Sequence, residues 1–168
     1  VGDPINAVKI FNEKEVDELI VLDIDATVNE HEPNYDLISK LANECRMPLC
    51  YGGGIKKPEQ AKKIVSLGVE KVALSSVAIE DSNIISEISM EIGAQSTVVV
   101  LDVKKSFFGN SLSVYTRNGK INTKHDPFEL VIKLEELGAG EIVINSIDLD
   151  GKMSGFNIQL AQNIKSII

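Results

Sequence analysis

Long apolar runs are missing from this chain of 168 residues. None approaches the ~18 residues a membrane span needs, so membrane insertion is set aside. Positive charge is in deficit: 17 Lys+Arg stand against 25 Asp+Glu, a net charge of -8. That is the wrong sign for a surface that tracks nucleic acid by counterion release, so nucleic acid is excluded as a partner. Cysteine occurs twice, as Cys45 and Cys50, without a CxxC pair or a histidine at ligand spacing. Neither a disulfide scaffold nor a zinc site is indicated, no metal is expected, and both thiols read as core packing in a reducing cytosol. The two histidines, His31 and His125, lie far apart with no carboxylate or nucleophile at diagnostic spacing and read as surface residues. No charged-then-apolar leader opens the chain: Val1-Gly2-Asp3-Pro4 runs straight into a helix start, and a cytoplasmic location is expected.

What is present is an alternation. Apolar runs at Leu19 to Leu22, Pro48 to Tyr51, Val72 to Leu74, Val98 to Leu101 and Ile142 to Ile144 are continuous rather than alternating. Strands buried on both faces, as in a helix-covered parallel sheet, require that pattern. Between them lie residues at helical spacing: Leu37, Ile38 and Leu41; Ala61, Ile64 and Val65; Ile84, Ile85 and Ile88; Phe128, Val131, Ile132 and Glu135; Leu160, Ala161 and Ile164. Asp3-Pro4 and Asp126-Pro127 set a capping carboxylate before a proline, and Gly68, Gly93 and Gly138 stand where helices should stop. The order is a helix followed by five strand-helix pairs. A polar excursion from Lys104 to Lys124, containing Gly109 and Asn118-Gly119, interrupts the rhythm and reads as a loop with a small hairpin around Leu112 to Thr116.

A shift of 123 residues lays Gly2-Asp3-Pro4 on His125-Asp126-Pro127, Glu18-Leu19-Ile20-Val21 on Glu141-Ile142-Val143-Ile144, and Ile24-Asp25 on Ile147-Asp148. A repeat of strand-helix units of that length predicts a (β/α)8 TIM barrel built from two half-barrels. Residues 1-168 then form a single, incomplete barrel domain of about five strands, with the first strand and the last two outside it. Such an open sheet should be poorly soluble alone.

In such a barrel chemistry sits at the C-terminal strand ends. Asp23, Asp25, Asp102, Lys104, Asn145, Ser146, Asp148, Asp150 and Gly151 fall on that rim, where an aspartate serves either acid/base work or loop capping. Gly52-Gly53-Gly54 joins a strand to a helix and lets backbone N–H groups converge on an anion, with Ser75-Ser76 at the next strand end and Lys56 as a neighbouring cation. The spacing is neither GxGxxG nor a P-loop, and no cofactor is called for.

Gly2-Asp3-Pro4, Asp17 to Ile24, Gly52-Gly53-Gly54-Ile55, Asn118-Gly119-Lys120, Gly138 to Ile142 and Ser146 to Gly151 together resemble the cyclase subunit family of imidazole glycerol phosphate synthase. The resemblance spans the whole chain. It implies a (β/α)8 barrel of histidine biosynthesis acting as a lyase. Ammonia from a glutaminase partner would cleave and cyclise a bisphosphorylated aminoimidazole-carboxamide ribonucleotide to imidazole glycerol phosphate and an aminoimidazole ribonucleotide. It makes Asp102 one of two acid/base aspartates, the other lying on a strand ahead of Val1. It assigns Asp23, Gly53, Gly54, Ser75, Ser76, Asn145, Asp150 and Gly151 to the phosphorylated substrate. Glu18, Lys71 and Glu141 become members of a charged ammonia gate at the opposite end. Ser75 departs from the family's usual asparagine, Asn145 from a threonine and Asp25 from a small hydroxyl residue. These departures leave open a paralogous role, a barrel that delivers ammonia for amidation of surface-polysaccharide sugars.

Overall fold

The computed structural model describes residues 2–105 and 111–168. Gly109 of the excursion lies outside the described residues. The elements are α1 (Pro4–Glu13), β1 (Leu19–Leu22), α2 (Ile24–Val28), α3 (Tyr35–Glu44), β2 (Leu49–Gly52), α4 (Pro58–Ser66) and β3 (Lys71–Leu74). There follow α5 (Ser76–Glu80), α6 (Asn83–Ile92), a 3-10 turn at Ala94–Ser96, β4 (Thr97–Lys105), β5 (Leu112–Thr116), β6 (Ile121–Asn122), α7 (Pro127–Glu136), β7 (Glu141–Ser146) and α8 (Ile158–Lys165).

Five strands pair in parallel in the order β1, β2, β3, β4, β7, and the sheet curls with helices on its convex side. This is an arc of a (β/α)8 barrel. The excursion is a hairpin: β5 runs antiparallel to the upper end of β4, with Asp102 opposite Tyr115 and Lys105 opposite Leu112, and β6 pairs with β5. It stands on the side of β4 where β3, paired only to Val99, has already ended.

The helix starts follow the sequence. Asp3 Oδ1 accepts from the Ile5 N–H at 3.1 Å, and Asp126 Oδ1 from Phe128 at 2.7 Å, each ahead of a proline. The repeat is carried into three dimensions. α1 and α7 begin 123 residues apart and are equally long, and α3 and α8 begin at the same offset. Even their caps match, because Asn34 Oδ1 accepts from Leu37 and Asn157 Oδ1 from Leu160, both at 3.1 Å. A side-chain acceptor at this position satisfies an N–H that the first helical turn leaves open.

The main core lies between sheet and helices, where Val72, Leu74, Val99 and Leu101 meet Ile38, Leu41, Ile64, Ile85, Ile88 and Leu134. A smaller cluster on the concave face joins Cys50, Ala73, Val98 and Val100, with Val143 packed against it. Burial on both faces therefore holds for β2 and most of β4 but is incomplete for β1 and β7, each of which has a strand neighbour on one side alone among the described residues. In β1 only Leu19 and Val21 join the core, while Ile20 and Leu22 are 36% and 46% exposed, and β7 is half-buried throughout. An edge strand has a neighbour on one side alone, and its concave-face side chains stay open.

Three further expectations are corrected. The buried stripe of α7 is Pro127, Leu130, Val131 and Leu134, so Ile132 and Glu135 point outward, as Ala161 does on α8. Cys45 packs against the core as expected but is only half-buried, its Sγ 3.0 Å from Met47 Sδ. The short helices α2 and α5 are additional to the expected strand-helix pairs, each occupying one turn directly after a strand.

Candidate functional site

The C-terminal strand ends surround a cavity of about 640 Å³. Asp23, Gly53, Gly54, Ser75, Ser76, Asp102, Asn145 and Asp150 all line it, joined by Lys56. Gly151 does not: it turns at φ +70° into a second hollow along the open edge of β7, which shares Asn145 and Asp150 with the first. The sharp turn that follows β7 carries Gly151 past the rim.

Asp102 projects from the concave face of β4, directly opposite Asn145 of β7 in the parallel register. That pairing brings Asn145 Nδ2 to 2.7 Å from Asp102 Oδ1, so the amide donates to one carboxylate oxygen. Burial pushes the Asp102 carboxyl above the ordinary aspartate range, the Asn145 hydrogen bond pulls it back, and the nearby Asp150 charge raises it again. A half-desolvated carboxylate with one oxygen occupied is equipped to exchange a proton through the other.

The glycine turn has a demand of its own beyond any ligand. Gly53 and Gly54 sit at φ +120° and +72°. A Cβ at Gly54 would lie 2.7 Å from the His31 carbonyl oxygen, and one at Gly53 would fall on the Asp23 backbone. The loops after β1 and β2 thus touch backbone to backbone, which only glycine permits. Among the described residues no protein acceptor takes the N–H groups of Gly53, Gly54 or Ser76, and all three residues line the cavity. The Ser76 hydroxyl is buried and accepts the Arg117 N–H at 2.9 Å, while Ser75 makes no side-chain capping bond and remains half-exposed.

Asp23 caps α2: its Oδ1 accepts from Asp25 and Ala26 at 3.2 and 3.1 Å. Asp148 anchors the loop after β7 to the top of β4 by accepting the Lys105 N–H at 2.9 Å. His31 and His125 are exposed. Among the described residues no group of three His, Cys, Asp or Glu side chains could hold a metal ion, and no helix is long and apolar enough to cross a membrane.

At the opposite, N-terminal end, Lys71 opens β3, Glu141 opens β7 and Glu18 immediately precedes β1. The Lys71 ammonium lies 2.9 Å from Glu18 and 2.7 Å from Glu141, bridging carboxylates 53 and 70 residues away. These two hydrogen bonds drive the Lys71 pKa well above the usual lysine range. Cys50 lies just above the ring in the concave cluster, and burial, with the two glutamates next, pushes its thiol up to about 12.

Sequence reasoning did not single out Arg117, Asn118 or Glu80 as cavity residues. The hairpin turn brings Arg117 and Asn118 there, and Glu80 comes from the end of α5: Arg117 Nε meets Glu80 Oε1 at 3.2 Å, and Asn118 Nδ2 donates to the Ile24 carbonyl at 3.0 Å. The Asn118-Gly119 turn signal located the hairpin but not the strand ends beneath it.

Parallel strands curled inside a helical layer, with a polar cavity at their C-terminal ends, define a protein of the (β/α)8-barrel class. The chain belongs to the histidine biosynthesis protein family, whose sequence profile matches residues 1–168. It is 54% identical over 168 residues to a Vibrio vulnificus (strain YJ016) protein provisionally named imidazole glycerol phosphate synthase subunit hisF3, covering 100% of this chain and 65% of that one. It is 38% identical over 168 residues to imidazole glycerol phosphate synthase subunit HisF of Lactococcus lactis subsp. cremoris (strain SK11), with 100% and 65% covered. The HisF subunit of Saccharolobus solfataricus is 38% identical over 163 residues, with 97% and 64% covered. The chain spans about 65% of the length of the curated relatives it matches.

Proposed function

We propose that this protein is the cyclase subunit of an imidazole glycerol phosphate synthase. The observation that carries the reading is Asp102, a partly desolvated carboxylate at the C-terminal end of a barrel strand, held at one oxygen by Asn145 within a cavity lined by N–H-rich loops. Ammonia attack, cleavage and ring closure on the bisphosphorylated ribonucleotide each need protons taken up and returned. Asp102 supplies one such group, and the second is the aspartate that the family resemblance places ahead of Val1. Gly53, Gly54, Ser75 and Ser76 hold one substrate phosphate through neutral N–H and hydroxyl donors, while Asp150 and Gly151 belong to the loop serving the other. Fixing both ends of the substrate across the mouth orients the reacting centre over Asp102.

Glutamine-derived ammonia enters from the other end. A glutaminase subunit docks on the face where Glu18, Lys71 and Glu141 close the floor, and the small concave cluster above them lies on the path toward Asp102. The relatives' names favour this reading over delivery of ammonia to a sugar-amidating enzyme.

The test is turnover of the bisphosphorylated ribonucleotide by the intact protein with ammonium as nitrogen source. Wild-type protein should release imidazole glycerol phosphate, and Asp102→Asn should lower turnover by at least ~100-fold, the scale of a lost general acid/base, while substrate binding persists. No product at saturating ammonium would refute the reading.

A further inference from the structure

The hairpin turn over the cavity has an uncommon backbone. Arg117, Asn118 and Gly119 lie consecutively at φ 53°, 57° and 74°. Asparagine and glycine enter this left-handed region readily, whereas an arginine is there at a cost and persists only where its surroundings demand it. The surroundings here are the Ser76 hydroxyl, buried at the start of α5, which accepts the Arg117 N–H at 2.9 Å. On its other side the turn is pinned by Asn118 to the Ile24 carbonyl at 3.0 Å. Backbone and asparagine therefore hold the hairpin across the cavity mouth without help from the arginine side chain.

That side chain is left for another purpose. Among the described residues its one polar side-chain contact, Nε to Glu80 at 3.2 Å, joins groups 42% and 49% exposed, a pair of the kind that contributes little. The charge balance around it is lopsided. Asp23, Glu30, Glu80, Asp102 and Asp150 line the cavity, against Lys56 and Arg117 as the cations among its described residues. A phosphate entering that field through neutral donors alone meets net repulsion, and a guanidinium fixed beside Ser76 offsets it with charge-assisted hydrogen bonds.

We infer that Arg117 supplies a cation to the Gly54–Ser76 phosphate site: Glu80 holds its guanidinium while the cavity is empty and releases it to the phosphate when substrate binds. This rests on the phosphate site proposed above. Glu80 is accordingly a competitor that weakens binding, and not merely a structural partner.

Isothermal titration of the intact protein with inorganic phosphate, at fixed low ionic strength, separates these roles. Arg117→Ala should weaken phosphate binding roughly tenfold or more, the scale of a lost hydrogen bond to a charged group. Glu80→Gln should tighten it a few fold, because the competing carboxylate is gone, and KM for the ribonucleotide should move in the same directions. Circular dichroism would establish that both variants fold. Were the ion pair only a latch on the hairpin, the two variants would lose affinity alike, and that result, or unchanged affinity in Arg117→Ala, overturns the inference while leaving the phosphate site standing. Absence of phosphate binding by the wild-type protein would instead remove the site itself, and the inference with it.

Discussion

Replacing Lys71 by alanine tests the charged floor for stability and for the proposed passage of ammonia. The ammonium makes two short contacts, 2.9 Å to Glu18 and 2.7 Å to Glu141, among side chains 23% to 40% exposed. At an effective dielectric of about 20, each pair has a gross attraction of about 6 kcal/mol, most of it offset by desolvation. A hydrogen bond to a charged group retains roughly 1.5–3 kcal/mol net, and the two share one cation, so truncation should cost about 2–4 kcal/mol. With a urea dependence of about 2 kcal/mol per molar, the unfolding midpoint of the intact protein should fall by about 1–2 M. The pH dependence has a definite sign. Because the carboxylates raise the folded-state pKa of Lys71, its contribution is fully present below the unfolded lysine value of about 10.4 and is lost as pH rises through the higher folded value. The difference between wild type and Lys71→Ala should stay constant from neutrality to about pH 10 and shrink only above it. Neutralising the whole ring, as Lys71→Met with Glu18→Gln and Glu141→Gln, should recover most of the loss by removing the stranded carboxylates. A midpoint unmoved by Lys71→Ala would refute the energetic reasoning. Activity gives the second readout: a gate predicts a larger loss with glutamine than with free ammonium, whereas equal losses would leave the ring a structural floor.

Two further substitutions probe the cavity. Gly54→Ala forces φ +72° on a residue with a Cβ 2.7 Å from the His31 carbonyl oxygen, and should destabilise the protein by about 1–3 kcal/mol in urea denaturation even without substrate; an unchanged midpoint would show that the two loops separate freely. Asn145→Leu removes the donor that lowers the Asp102 pKa while leaving the burial that raises it, so the acidic limb of the kcat/KM profile should move to higher pH. A limb that stays in place, or moves toward acid, would mean that a group other than Asp102 sets it.

Much of this molecule is local in origin and was legible in order along the chain. The five apolar runs became the five parallel strands, Asp3-Pro4 and Asp126-Pro127 became capped helix starts, and the offset of 123 residues reappeared as matched helices. Caps, prolines and apolar periodicity act within a few residues, so sequence alone carries them. Burial was less legible, because an apolar run states that a strand can be covered on both faces and not which neighbours cover it, and among the described residues β1 and β7 have a strand on one side alone. The orientation of a helix was also misread where two apolar stripes compete, and α7 buries Leu130 and Leu134 instead of Ile132.

The chemistry of the candidate site follows the same division. Sequence identified Asp102, the glycine turn and Ser75-Ser76 as residue types at strand ends, and the family resemblance added the three floor charges. Their partners came from register and topology: Asn145 reaches Asp102 because β7 pairs with β4 in one alignment and no other, and Lys71 meets two glutamates because the curled sheet brings together the starts of alternate strands, β1, β3 and β7. The backbone contact of Gly53 and Gly54 with the loop after β1 and the descent of Arg117 onto Ser76 arise where separate loops touch. Such contacts depend on sheet curvature and strand length, properties of the assembled strands that no short segment encodes.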